Sequence, residues 1–111
     1  MRIRYARRYY IQRTDEFDGW LSKLKDLRAR AKIIARIRSA ELGNLGDVEP
    51  IGEGLSELRI HYGPGYRVYL KQKGKILLLV LCGGTKNTQR KDIERAKSLI
   101  KKYEDILNEW S

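Results

Sequence analysis

The clearest pattern of apolar and polar positions lies between residues 57 and 71. Leu58, Ile60 and Tyr62 alternate with Glu57, Arg59 and His61; after Gly63-Pro64-Gly65, Tyr66, Val68 and Leu70 alternate with Arg67, Tyr69 and Lys71. A period of two belongs to strands with one buried face, so the segment predicts a β-hairpin. Lys73-Gly74 predicts a second tight turn, and the apolar run Ile76–Cys82 a buried strand. Gly83-Gly84-Thr85-Lys86 is read as the end of the sheet.

Elsewhere the spacing is three and four. Thr14 is a candidate N-cap, Asp15 and Glu16 suit a first helical turn, and Phe17, Trp20, Leu21 and Leu24 form an apolar stripe. A second helix is predicted from about Arg28 to Leu42. Its inner face would be Ala31, Ile34, Ala35, Ile37 or Arg38, and Leu42, with Gly43 at its C′ position. The two helices are expected to form a hairpin around Asp26. A long last helix is predicted from about Thr88, with Ile93, Ala96, Ile100, Tyr103, Leu107 and Trp110 inward. Residues 9–13 read as a short first strand, and 44–54 as a loop with room for one short extended segment. The expected architecture is a single α+β domain over residues 1–111: an antiparallel sheet with an N-terminal helical hairpin and a C-terminal helix.

Composition narrows the function. The 111 residues carry 24 Lys+Arg against 14 Asp+Glu, a formal charge of +10. A cationic surface attracts nucleic acid, an anionic membrane surface or an acidic protein. From Arg59 to Lys102 twelve cations face only Asp92 and Glu94, so a polyanion site belongs there. The longest apolar run is far shorter than the roughly 20 residues of a spanning helix, and no apolar segment follows the basic N-terminus as in a signal peptide. A single cysteine, Cys82, sits in that run and reads as core packing in a reducing compartment. A cytoplasmic location is therefore expected. One histidine and one cysteine make no zinc site of the usual kind, and neither metal nor cofactor is expected.

A three-residue turn would place Tyr62 opposite Tyr66, His61 opposite Arg67, Arg59 opposite Tyr69 and Glu57 opposite Lys71. Arg59, His61, Arg67, Tyr69 and Lys71 would then share one sheet face. Arginine forks fit phosphate oxygens, tyrosine offers a stacking surface, and histidine exchanges protons near neutral pH. A face of solvated charges is the ordinary alternative, and Trp20 and Trp110 read as core or helix-packing residues, not as base-stacking platforms.

At this point the chain resembles the RelE/ParE toxin superfamily, and within it the HigB-like addiction-module killer proteins. The resemblance rests on Arg13-Thr-Asp-Glu-Phe-Asp-Gly-Trp-Leu21, Gly43-Asn-Leu-Gly-Asp-Val48, the run from Gly54 to Tyr69, and Leu81-Cys-Gly-Gly-Thr-Lys86. It implies the toxin of a type II toxin–antitoxin pair. That toxin would be a metal-independent endoribonuclease cutting mRNA on the ribosome; the alternative it leaves open is a toxin that binds DNA gyrase. It also implies a cognate antitoxin, in this branch often a helix-turn-helix protein. By family pattern the catalytic positions fall at Arg59, His61, Arg67 and Lys86, with Tyr69, Lys71, Arg90 and Lys91 as candidate RNA-binding residues. Many RNA-cleaving members carry a tyrosine or histidine near the start of the last helix; around Asp92 this chain has neither.

Overall fold

The computed structural model describes residues 9–75 and 77–109. The basic segment 1–8, Ile76 and Trp110 lie outside the described residues. Five strands, β1 (Tyr10–Arg13), β2 (Val48–Gly52), β3 (Leu55–Ile60), β4 (Tyr66–Lys73) and β5 (Leu77–Thr85), form one sheet in the order β1-β5-β4-β3-β2. The sheet is mixed, because β1 runs parallel to β5 while the other pairs are antiparallel. The wholly antiparallel sheet read from the sequence is corrected to that extent.

Helix α1 (Asp15–Lys23) begins where β1 ends. The Thr14 hydroxyl accepts the amide of Phe17 at 3.0 Å and donates to the carbonyl of Leu81 at 2.6 Å, so one buried side chain caps the helix and ties it to β5. Helix α2 (Leu27–Glu41) starts at Asp26, whose carboxylate accepts the amides of Arg28 and Ala29. Each helix lies on the sheet, α1 against β5 and α2 against β3.

The buried face of α2 is Ala29, Ile33, Ile37 and Ala40. Ala31 and Ala35, expected inside, are exposed, and Leu42 is 52% exposed. Apolar residues surround this helix almost completely, so their spacing does not define its rotation. Contact with Leu58, Ile60 and Val68 does.

The last helical segment is two helices, α3 (Gln89–Lys102) and α4 (Glu104–Glu109), preceded by a single 3-10 turn at Lys86–Thr88. The expected unbroken helix stops at Tyr103, whose hydroxyl reaches back to Glu16 at 2.6 Å. Both sheet faces are covered. Leu58, Ile60, Val68 and Val80 pack with Phe17 of α1 and with α2; Leu55, Tyr69, Leu77, Leu79 and Leu81 pack with Ala96, Leu99 and Leu107 of α3 and α4.

Strand β5 does not end at the glycines, as expected, but runs through them to Thr85. Opposite β4 it carries one extra residue, because Leu70 pairs with Val80 and Tyr69 with Cys82. That bulge turns Gly83 toward α1 and Gly84 toward α3. A Cβ on Gly83 would collide with the Trp20 ring, and one on Gly84 with the Asp92 carboxylate. Among the described residues no helix is long and apolar enough to cross a membrane.

Candidate functional site

The β3–β4 hairpin fixes the candidate site. Its register is two residues from the expected one: Ile60 pairs with Tyr66, Arg59 with Arg67 and Glu57 with Tyr69. The connection is therefore five residues long, 61–65, not three. Inside it the Tyr62 amide bonds the Ile60 carbonyl at 2.9 Å and the Gly65 amide bonds the Tyr62 carbonyl at 3.1 Å. The Tyr62 ring sits under the Lys32 ammonium at 5.2 Å. A slip of two keeps every side chain on its expected face. Arg59 and Arg67 thus stand directly opposed on one face.

They are not open to solvent as a bare cationic patch. Glu57, fully buried, lies between them: its Oε1 accepts Arg59 Nε at 3.1 Å and stands 3.7 Å from Arg67 Nε, and its Oε2 accepts Gln89 Nε2 at 2.7 Å. Glu49 on β2 holds the other end of the Arg59 guanidinium at 3.1 Å. Hydrogen bonding to Glu57 raises the Arg59 pKa further. Arg67 is only 7% exposed and gives its Nη1 to the carbonyls of Gly65 and Tyr66 at 3.2 Å. The expected face of unpaired cations is corrected to a network in which buried carboxylate balances guanidinium. A carboxylate is what makes burial of Arg67 tolerable.

Tyr69 is corrected too. It is 0% exposed, packed among the leucines beneath α3, and has no surface on which a base could stack. Its hydroxyl is buried near Glu57 without a hydrogen bond, and burial pushes its pKa up. Lys71 is directed to the β2–β3 turn, where its ammonium donates to the Glu53 carbonyl at 2.7 Å, away from Arg59.

His61, expected opposite Arg67, lies just past β3, exposed and paired with Asp47. That contact holds the Asp47 carboxyl below its ordinary value. Both line a pocket of 310 Å³ between α2 and β3, with Lys32, Arg36 and Arg59. Arg36 is structural there: it donates to the carbonyls of Arg59, Leu45 and Asp47 at 2.5, 2.7 and 3.1 Å.

Lys86 is exposed at the end of β5. Its amide bonds the Gly65 carbonyl at 2.8 Å, which brings it beside Arg67. Arg90 and Lys91 are exposed in the first turn of α3. Of the expected residues, Arg59, Arg67 and Lys86 therefore meet at one end of the sheet, with Arg90 and Lys91 on the adjoining helix. His61 stands to one side, and Tyr69 and Lys71 do not join. Sequence reasoning missed Gln89, Asp47 and Glu49. It placed Glu57 on the right face against the wrong partner.

Cys82 is buried and its thiol is pushed up to about 12 by that burial, which leaves it inert as a nucleophile. Among the described residues no group of three or more His, Cys, Asp or Glu is placed to hold a metal ion.

No protein-family model matches the chain. It is 56% identical to an uncharacterized protein of Haemophilus influenzae over 89 residues, 80% of this chain and 90% of the other. Its fold is similar to that of a chain in the crystal structure of the toxin–antitoxin complex RelBE2 from Mycobacterium tuberculosis. The TM-score is 0.57 at 18% identity, over 71% of this chain and 99% of that one. The likeness bears out a RelE/ParE-like fold.

Proposed function

We propose, from the premise that the chain belongs to one family with the uncharacterized Haemophilus influenzae protein, that it is a HigB-like toxin of a type II toxin–antitoxin pair that cuts mRNA on the ribosome. The observation that carries this reading is the meeting of Arg59, Arg67 and Lys86 at one end of the sheet. The charge of +10 supports a polyanionic substrate. The RelBE2 complex supports an antitoxin partner, and a cytoplasmic setting goes with the toxin reading.

In this reading the 2′-oxygen of one ribose attacks the neighbouring phosphorus. The bond to the 5′-oxygen breaks, leaving a 2′,3′-cyclic phosphate and a 5′-hydroxyl. His61, oriented by Asp47, accepts the 2′-proton. Arg59, with a side chain 32% exposed, offsets charge on the phosphate oxygens. Arg67 is too buried to bind it and positions Arg59 through their shared carboxylate. Lys86 offsets charge on the 5′-oxygen until that oxygen takes a proton from water.

One observation favours a second reading. Glu57 and Glu49 already engage the Arg59 guanidinium, which leaves less of it for a phosphate and suits a toxin that binds DNA gyrase without cleaving RNA. Sequencing RNA 5′ ends after brief expression separates the two. New 5′-hydroxyl ends in wild type that vanish in Arg59→Ala support the nuclease. Intact transcripts in arrested cells, with gyrase–DNA cleavage complexes, overturn it.

A further inference from the structure

A groove between α1 and α3 stands apart from the arginine network. Trp20 forms one wall; Gly83, Gly84 and Thr85 of β5 form the floor; Lys91, Asp92 and Arg95 of α3 form the other wall. Its 560 Å³ lies in the size range of small-molecule sites, about 300–1,000 Å³. A second hollow of 290 Å³ adjoins it, sharing Trp20 and Arg95.

The indole is held from three sides. Gly83 lies under its six-membered ring, Phe17 is 5.8 Å away centroid to centroid, and Tyr66 meets it edge-on at 6.2 Å. Its remaining surface is half-buried and borders both hollows. Among the described residues neither Lys91 nor Arg95 is in an ion pair. The acids present are accounted for: Asp92 accepts the Thr88 hydroxyl at 2.5 Å, and Glu16 is engaged by Lys102 and Tyr103. Asp15 lies only in the second hollow.

We propose that this groove is a subsite for single-stranded RNA, with one nucleobase stacked on Trp20 and its flanking phosphates on Lys91 and Arg95. A fixed aromatic face beside two uncommitted cations is the chemistry of single-strand recognition, because every base has a π-face and every linkage a charge. The far hollow sets Asp15 and Glu16 against Lys23 and Arg95, whereas the groove sets Lys91 and Arg95 against Asp92 alone, which turns a phosphate toward Lys91. The groove also adjoins the proposed cleavage site. Gln89 reaches Glu57 on one side of α3, and Asp92, three residues on and about 4.5 Å along the axis, faces the groove. The proposal rests on the RNA reading for its ligand but not on the chemistry of cleavage.

The chain has two tryptophans, so a Trp110→Phe variant makes Trp20 the sole fluorophore. A short single-stranded RNA with 2′-O-methyl riboses, which cannot cyclise, is titrated against it. Saturable quenching is expected, at least tenfold weaker in affinity when Lys91→Ala and Arg95→Ala are added, both exposed positions whose folding is checked by circular dichroism. Absent quenching, quenching indifferent to those two changes, or equal quenching by a polyglutamate peptide overturns the subsite. Quenching without cleavage of mRNA on ribosomes leaves the subsite standing and sinks the nuclease. Cleavage without quenching does the reverse.

Discussion

Arg59 on β3 and Arg67 on β4 stand opposite one another on one face of the sheet, and the Glu57 carboxylate lies between them, 3.1 Å from one Nε and 3.7 Å from the other. Like charges directly opposed across strands repel. Here the repulsion is offset by a carboxylate with no exposed surface, anchored in turn by Gln89. The fold thus spends a buried acid on holding two guanidiniums still, and several consequences can be measured.

Removing that acid leaves Arg67 buried without its counter-charge. Glu57→Ala is expected to cost about 3–5 kcal/mol in urea unfolding, and Glu57→Gln less, because its amide oxygen still accepts from Arg59 and its NH2 can donate to the Gln89 oxygen once that amide flips. Equal stability for Glu57→Ala and wild type would mean that the network contributes nothing.

Activity and stability should separate at the exposed cation. Lys86→Ala is expected to stay within about 0.5 kcal/mol of wild type while slowing RNA cleavage roughly 100-fold. Single-turnover rates beside denaturation curves test this. An unchanged rate removes Lys86 from the proposed chemistry.

The junction of α1 with the last helices carries a pH signature. The Glu16 carboxyl is lowered to about 2, first by the hydrogen bond from Lys102 and then by that from Tyr103. A depressed folded-state pKa gives stability that is present above the unfolded value of about 4.5 and lost as pH falls toward 2. Urea midpoints measured from pH 6 to pH 2 should therefore fall less steeply in Glu16→Gln than in wild type. Parallel curves would rule this contribution out.

At Gly83, an added methyl group meets the Trp20 ring. Gly83→Ala should destabilise by about 1–3 kcal/mol, and that penalty should shrink in a Trp20→Ala background. A double-mutant cycle reads the coupling directly. Strict additivity would show that the two residues do not touch in solution.

Thr14 joins two tasks in one hydroxyl. Thr14→Ala removes the cap and leaves the buried Leu81 carbonyl without its side-chain donor, a loss of about 1–3 kcal/mol by thermal or urea unfolding.

The sequence by itself determined most of the elements and the faces of the central hairpin. Alternation from residue 57 to 71 marked which side chains share a side of the sheet. Thr14 and Gly43 marked helix ends, and the apolar run marked the central strand. Only the tertiary structure decided the register, since a two-residue slip preserves a period of two and alternation cannot detect it. That slip moved Glu57 from Lys71 to the space between two arginines, and His61 out of the strand to Asp47. The tertiary structure also decided which polar-phase residues see water. Packing of α3 on that same face buried Tyr69, because a strand records its own pleat but not what is laid upon it.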